Sequence, residues 1–269
     1  MSTQRTVHSE LDPLLKELCM PAMRSTYREV SATAQKESST YEEYLLHLAQ
    51  NECASRHSHR VEQLTRESRL PLEKTMLNFE RQRLSRSVNA QISTLLDGSF
   101  VDRRENVLLF GTPGSGKSHL LCALGQELIQ QRRRVLFTRC SLLVQELLSA
   151  KQSLRLVKML KHLSRVDVLI IDDIGYVQHN RDEMEVLFTL LAERYERGSV
   201  MLTSNVPFGQ WDTIFKDPMM AAAAVDRLVH HSIIIEMNLP SYRLDHVKTS
   251  MHKNTGTEEL ENKSKTSVH

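Results

Sequence analysis

The apolar residues of this chain follow one rhythm before about residue 100 and another after it. In the first stretch they recur three and four positions apart, the spacing of a helix with one buried face. Leu11, Leu14, Leu15 and Leu18 predict a helix over 11–23 that Pro21 ends or kinks. The polar run SATAQKESS reads as a connector. Ser39 followed by Glu42 has capping-box spacing and opens a long predicted helix with Tyr41, Tyr44, Leu45 and Leu48 on one face. Leu70-Pro71 breaks that helix, and a looser one follows over 88–96.

From Asn106 onward, short consecutive apolar runs take over, at 107–110, 135–138, 168–171, 200–203 and 233–235. Helical patterns lie between them at 119–131, 141–165 (in one or two pieces), 181–197 and 221–230. Unbroken apolar runs are strands buried on both faces. Alternating with helices, they predict an α/β fold with a five-stranded parallel sheet between two helical layers. The expected division is a helical N-terminal domain over 1–75, an α/β domain over 76–248 and a tail over 249–269. The tail has almost no apolar content and reads as disordered.

Composition adds mainly exclusions. With 40% hydrophobic and 25% charged residues the chain is ordinary for a soluble protein. The net charge of +2 announces no nucleic-acid partner, so any such case rests on local charge. No apolar run approaches the roughly 20 residues of a membrane span, and MSTQRTVHSELD lacks the apolar core of a signal peptide. A cytoplasmic protein with no membrane partner is the expectation. Cys19, Cys53, Cys122 and Cys140 form no C-x-x-C pair and no zinc spacing, so reduced, mostly buried thiols are expected.

The residues Gly111-Thr112-Pro113-Gly114-Ser115-Gly116-Lys117-Ser118 match G-x-x-x-x-G-K-[ST]. Glycines let the backbone curl so that successive N–H groups face a polyphosphate. Lys117 adds a positive charge for the β- and γ-phosphates, and Ser118 a hydroxyl for Mg²⁺. The helix from His119 aims its N-terminal dipole at the same anion. An apolar strand running into the motif and an amphipathic helix leaving it separate it from a chance glycine loop.

The strand 168–171 leads into Asp172-Asp173, the acids expected opposite such a loop. Asp172 is the candidate for the metal side, through a bound water, and Asp173 for the base acting on the attacking water. A simple turn cap is the alternative for this pair. Asn205, after the next buried strand, is placed to contact the γ-phosphate or position water; a turn before Pro207 is its alternative. Arg227, on the helix before the last strand, either reaches a neighbouring subunit's γ-phosphate or is a surface arginine paired with Asp226 or Glu236.

Together, LLFGTPGSGKSHL, LIIDDIGY, LTSNVPFGQW, DRLVHHS and PSYRL resemble the IstB-like transposition helper ATPases. These are relatives of the DnaC helicase loaders among AAA+ proteins. The resemblance runs from about 11 to 244 and takes in LKELCMPAM and RLPLEKTMLNF. It implies an AAA+ three-layer sandwich that binds ATP and Mg²⁺, hydrolyses ATP, assembles on duplex target DNA and recruits or stimulates a cognate transposase. It implies a homo-oligomer with ATP sites between subunits. By this likeness 111–118 is the nucleotide loop, Asp172 and Asp173 the metal and catalytic acids, Asn205 the first sensor and Arg227 an arginine finger in trans. Asp173 stands where the broader pattern has Glu, which implies slow hydrolysis. Too little chain follows the last strand for a full helical lid, and Arg243 is the candidate for the lid's arginine. A helicase loader of the DnaC type and a nucleotide-gated DNA scaffold that barely hydrolyses ATP are the alternatives. A small-molecule kinase would need an acceptor pocket and a lid, and the chain shows neither clearly.

Two basic stretches are candidate DNA contacts. Eight Lys/Arg fall between 54 and 89 against four Glu. Lys151, Arg155, Lys158, His162 and Arg165 fall at spacings of four and three, which is one face of an unbroken helix. Either grips phosphates or is a solvated face. With 5% aromatics and no stacking platform, duplex is favoured over single strands.

Overall fold

The computed structural model describes residues 2–175, 181–211 and 218–242, and its chain divides into two compact units, Met1–Gln63 and Leu64–His269. The division falls inside one long helix. Residues 243–269, with Arg243 and the predicted tail, lie outside the described residues.

The first unit is built from α1 (Ser2–Glu17), α2 (Pro21–Glu37) and the start of α3 (Tyr41–Ser68). Leu15, Tyr27, Val30 and Leu48 form its small core. Cys19, at φ +54, ends α1, and Pro21 then opens α2 where its missing N–H costs nothing. The run read as a connector is helix: SATAQKE belongs to α2, because Ala, Gln, Lys and Glu are strong helix formers even without an apolar stripe. Ser38 terminates it at φ +55, which moves the capping box on by one residue. Glu43 N donates to Thr40 Oγ1 (3.2 Å) and Thr40 N to Glu43 Oε2 (2.8 Å), where Ser39 and Glu42 were expected.

Glu52 on α3 reaches the N-terminus of α2. Its Oε2 accepts from Ala22 N (2.9 Å) and Met23 N (3.0 Å), and its Oε1 from Arg56 Nε (2.8 Å). Burial pushes this carboxyl up, but the bonds from Met23 N–H, Arg56 and Ala22 N–H outweigh burial and hold it below the usual range.

In the second unit, α4 (Arg86–Leu95) and the short α5 (Ser99–Asp102) precede the sheet. Five parallel strands follow: β1 (Asn106–Gly111), β2 (Val135–Arg139), β3 (Val168–Ile174), β4 (Ser199–Ser204) and β5 (Ser232–Met237). Their spatial order is β2-β3-β4-β1-β5. The connecting helices are α6 (Lys117–Gln130), α7 (Cys140–Gln152), α8 (Leu156–Leu163), α9 (Arg181–Arg194) and α10 (Pro218–Val229). The expected parallel α/β sandwich is the observed fold.

The sheet has two different faces. Leu108, Leu169, Ile171, Val200 and Leu202 join a core with α7 to α10. Their neighbours in sequence point the other way, toward α6. A Cβ added to Gly125 of α6 would stand 2.8 Å from Ile170 Cδ1. Leu120, Leu121, Cys122, Ala123, Leu124, Leu128 and Ile129 of α6 are all buried, so this helix is enclosed on most sides. At the sheet's N-terminal edge, Arg194 is 2% exposed and donates to the carbonyls of Leu163, Val166, Asp167 and Ser199. Burial lowers its pKa to about 10, and nearby Asp167 opposes that shift.

Of the cysteines, Cys122 and Cys140 are buried and burial pushes both thiols up to about 12, so they are unreactive. Cys19 and Cys53 are exposed, which corrects the expectation of mostly buried thiols.

Candidate functional site

β1 delivers the glycine loop to the C-terminal edge of the sheet, where ligands of open α/β sheets bind. Gly111 (φ +147) lies so close to the end of β5 that a Cβ would stand 2.2 Å from Met237 O. Gly114 (φ +81) lies equally close to Ser241 Oγ. Thr112 Oγ1 donates to Leu239 O (2.8 Å), and Tyr242 N to Gly114 O (3.0 Å). The chain beyond β5 thus braces the loop.

Lys117, the first residue of α6, is buried. Its Nζ donates to Gly111 O (2.7 Å) and Thr112 O (2.8 Å), so the ammonium is held over the loop. Ser115 is 5% exposed, and its hydroxyl has no partner among the described residues. These are a cation and a polar cradle shaped for an anion.

Asp172 and Thr203 lie on the α6 face of the sheet, two residues beyond Ile170 and Met201. Thr203 is 1% exposed, and its Oγ1 donates to Asp172 Oδ1 (2.7 Å) and accepts from Asp173 N (2.8 Å). One hydroxyl therefore aims the first acid and fixes the backbone of the second. Asp173 sits at φ +67, where the β3–β4 register shifts between Ile171 and Ile174. That bulge turns its side chain out to solvent, an arrangement often found beside active sites. Asn205 follows β4 in a turn held by Ser204 Oγ, which donates to Val206 O, and by Trp211 Nε1, which donates to the same carbonyl. Its Oδ1 is buried without a partner among the described residues, as expected of a side chain that meets a ligand or water.

Sequence reasoning missed the wall opposite the loop. Lys74, Asn78, Phe79, Glu80, Arg83 and Tyr242 line the same cleft as 114–119. Arg83 Nη2 donates to Pro240 O (3.0 Å) and its guanidinium lies 5.4 Å from the Tyr242 ring centroid. RLPLEKTMLNF enters the sequence reading through the family resemblance and, with Arg69 and Lys74, through the basic stretch; its one signal for a wall is the Leu70-Pro71 break ahead of an irregular segment.

Two groups of predicted residues lie elsewhere. Arg227 stacks on Phe188, its Cζ 4.5 Å from the ring centroid. It shares a small recess with Asn106 and Val200, at the starts of β1 and β4. That is the opposite end of the sheet from its own glycine loop, roughly 17 Å away along β1. The basic stripe is not one helix face: α7 stops at Gln152, Leu154 takes φ +57, and α8 starts at Leu156. Lys151 pairs with Glu185 (3.0 Å) and Asp182 (3.8 Å) of α9. Arg165 is exposed in the turn after α8, while Arg155, Lys158 and His162 line an open groove with Glu146 and Ser149. In the other basic stretch, Arg81 is bound to Asn89 and Ser93, Arg69 to Glu146 and Arg56 to Glu52.

A model of the family described as IstB-like ATP binding protein matches residues 13–250. The chain belongs to this family. A protein of Sinorhizobium fredii named for ATP binding in an insertion sequence is 40% identical over 89% of this chain and 82% of its own length. The insertion sequence IS21 ATP-binding protein of Pseudomonas aeruginosa is 39% identical, over 87% and 89%. The crystal structure of DnaI covers 64% of this IstB-like chain and 96% of its own, with TM-score 0.52 and 22% identity. That of the DnaC helicase loader covers 62% and 98%, with TM-score 0.51 and 17% identity. These two likenesses establish the AAA+ fold of this IstB-like protein. Among its described residues, no helix is long and apolar enough to cross a membrane.

Proposed function

We propose that this IstB-like protein is an ATPase whose nucleotide state controls its assembly on duplex DNA, where it delivers a transposase to its target. The observation that carries the reading is the shared placement of Lys117, Asp172 and Thr203 on one face at the C-terminal edge of the sheet, with Arg227 at the opposite edge. The insertion-sequence names of the relatives support the transposition setting.

In this reading the loop N–H groups and Lys117 hold the triphosphate. The Ser118 hydroxyl and the Asp172 carboxylate are hard oxygen donors that fit Mg²⁺. Among the described residues no group of three His, Cys, Asp or Glu side chains could hold a metal, which fits an ion that arrives with its phosphates. Mg²⁺ bound there would neutralise charge on the phosphate oxygens. Asn205 orients water, and Asp173 takes its proton as the oxygen bonds to the γ-phosphorus and ADP leaves. Arg227 cannot reach the phosphates of its own chain, so it serves the site of a second copy. Arg155, Lys158 and His162 offer duplex phosphates a sequence-tolerant, salt-sensitive contact.

Turnover measured alone, with duplex and with single strands tests this reading. Lys117→Ala and Arg227→Ala should each be inactive with duplex, and a mixture should recover part of the wild-type rate. The Lys117 variant would supply its arginine to the intact phosphate site of the other. No recovery on mixing would refute sites shared between copies. Stimulation by single strands only would favour a helicase loader. A second reading, a scaffold that binds ATP but scarcely hydrolyses it, draws on the short, outward-turned Asp173. ATP binding without turnover under every condition would select it.

A further inference from the structure

The wall that faces the glycine loop, residues 70–83, contains only a short 3-10 turn (Arg81–Arg83). Without a ladder, its backbone carbonyls need side-chain partners. Two come from α6, the helix that starts at Lys117. Gln126 Nε2 donates to Pro71 O (3.0 Å) and Lys74 O (3.1 Å). His119, two turns earlier on the same face, meets Thr75 O at 2.9 Å. Leu70 packs over Gly125, where an added Cβ would stand 3.2 Å from Leu70 Cδ1. The far side of the wall reaches the loop: Phe79 Cε2 lies 3.2 Å from where a Cβ on Gly116 would be, and the Phe79 ring centroid is 5.4 Å from that of His119. One helix therefore opens in the phosphate cradle and holds the wall across from it.

We propose that Gln126 is a positioning residue that sets which nucleobase this cleft accepts. Its amide donors are spent on the wall, not on a ligand. They fix how far Phe79 and Asn78 stand from the loop, and hence the width of the slot beside the phosphates. Phosphate binding rests on the loop backbone and Lys117, which Gln126 does not touch, so base choice and phosphate affinity are separable. The inference rests on the reading of this cleft as the ATP site.

The test is titration of ATP, GTP and inorganic tripolyphosphate into the full chain, with Gln126→Glu and Gln126→Leu beside wild type. A carboxylate of the same shape repels the wall carbonyls, and leucine keeps the bulk without donors, so either variant carries the test if the other does not fold. The expected result is an ATP affinity about tenfold weaker, an ATP-to-GTP preference reduced by a similar factor, and tripolyphosphate affinity unchanged within about twofold. Equal weakening of all three ligands would make Gln126 a stability residue and overturn the proposal. An unaltered ATP-to-GTP preference would overturn it as well. Wild type that binds tripolyphosphate as tightly as ATP would leave the wall no part in recognition, and wild type that binds neither would overturn the nucleotide reading itself.

Discussion

Thr203→Val is the sharpest test of how the two acids are held. Valine keeps the shape and removes the hydroxyl, which donates to Asp172 Oδ1 at 2.7 Å and accepts from Asp173 N at 2.8 Å. The change strands one N–H and one carboxylate oxygen at a position that is 1% exposed. Each unsatisfied buried group costs about 1–3 kcal/mol. Because Asp173 is solvent-exposed, water offsets part of this, and a net loss of about 2–3 kcal/mol is expected for the second unit. That is a fall of roughly 4–12 °C in its melting transition for a unit of this size.

The larger effect should fall on catalysis. Freed from Thr203, the Asp173 backbone can leave φ +67, a region that residues other than glycine adopt uncommonly. A catalytic group misplaced by about 1 Å loses on the order of 100-fold in rate. Turnover of ATP with duplex should therefore fall 10- to 100-fold, while ATP affinity, set by the loop and Lys117, changes less than about threefold. Thr203→Ser restores the hydroxyl and should recover most of the rate. Wild-type turnover by the valine variant, at an unchanged melting temperature, would refute the idea that this hydroxyl aims the acids.

Two further outcomes follow from the geometry. Glu52 titrates below its usual range, so its contribution is complete above the unfolded carboxyl's pKa of about 4.3 and disappears as pH falls through the lower, folded value. Glu52→Gln should therefore speed amide exchange at Ala22 and Met23 near neutral pH, with the difference from wild type closing in acid; a difference that persists in acid would contradict the linkage. Arg155→Glu with Lys158→Glu should weaken duplex binding and flatten its salt dependence without altering ATP affinity, and unchanged duplex affinity would remove this groove as the DNA contact. Lys151 is best left out of that variant, because a glutamate there would repel Asp182 and Glu185 and loosen α7 from α9.

The parts that could be read in the sequence were those whose cause is local. The central strands β1, β3 and β4 are buried on both sides and read as apolar runs, whereas β2 and β5 lie at the edges of the sheet and are only partly buried, which corrects the expectation of two covered faces for every run. The glycine loop is visible because only glycine tolerates Gly111 at φ +147 against Met237 O. β3 runs past Ile171 because Asp172 pairs with Arg139 of β2 and Ile174 with Ser204 of β4, and the two acids between the isoleucines hide that continuation from an apolar pattern. Ser39/Glu42 and Thr40/Glu43 have identical spacing, and the left-handed Ser38, which the sequence does not announce, decides between them. The basic stripe was counted on an unbroken helix, and a single residue at φ +57 removes that premise. The wall at 70–83 was hidden for another reason: its anchors, His119 and Gln126, lie 44 to 55 residues away in sequence.

The direction of the strands makes the last connection. All five are parallel, so every strand end that carries site chemistry (Gly111, Asp172, Thr203) lies at one edge, and every strand start lies at the other. Asn106 fixes that second edge: its Nδ2 donates to Leu228 O (3.1 Å) and its Oδ1 accepts from Val200 N (2.9 Å), tying the end of α10 to the starts of β1 and β4. Arg227 is one residue from that tie. Its guanidinium, stacked on Phe188 with Nη1 lacking a partner among the described residues, is held away from its own phosphate loop by the length of the sheet. A cation fixed there can neutralise phosphate charge only on a molecule that approaches the strand starts. In the homo-oligomer proposed above, that molecule would be the next copy presenting its strand ends, and ATP bound in one copy would then depend on the packing of both.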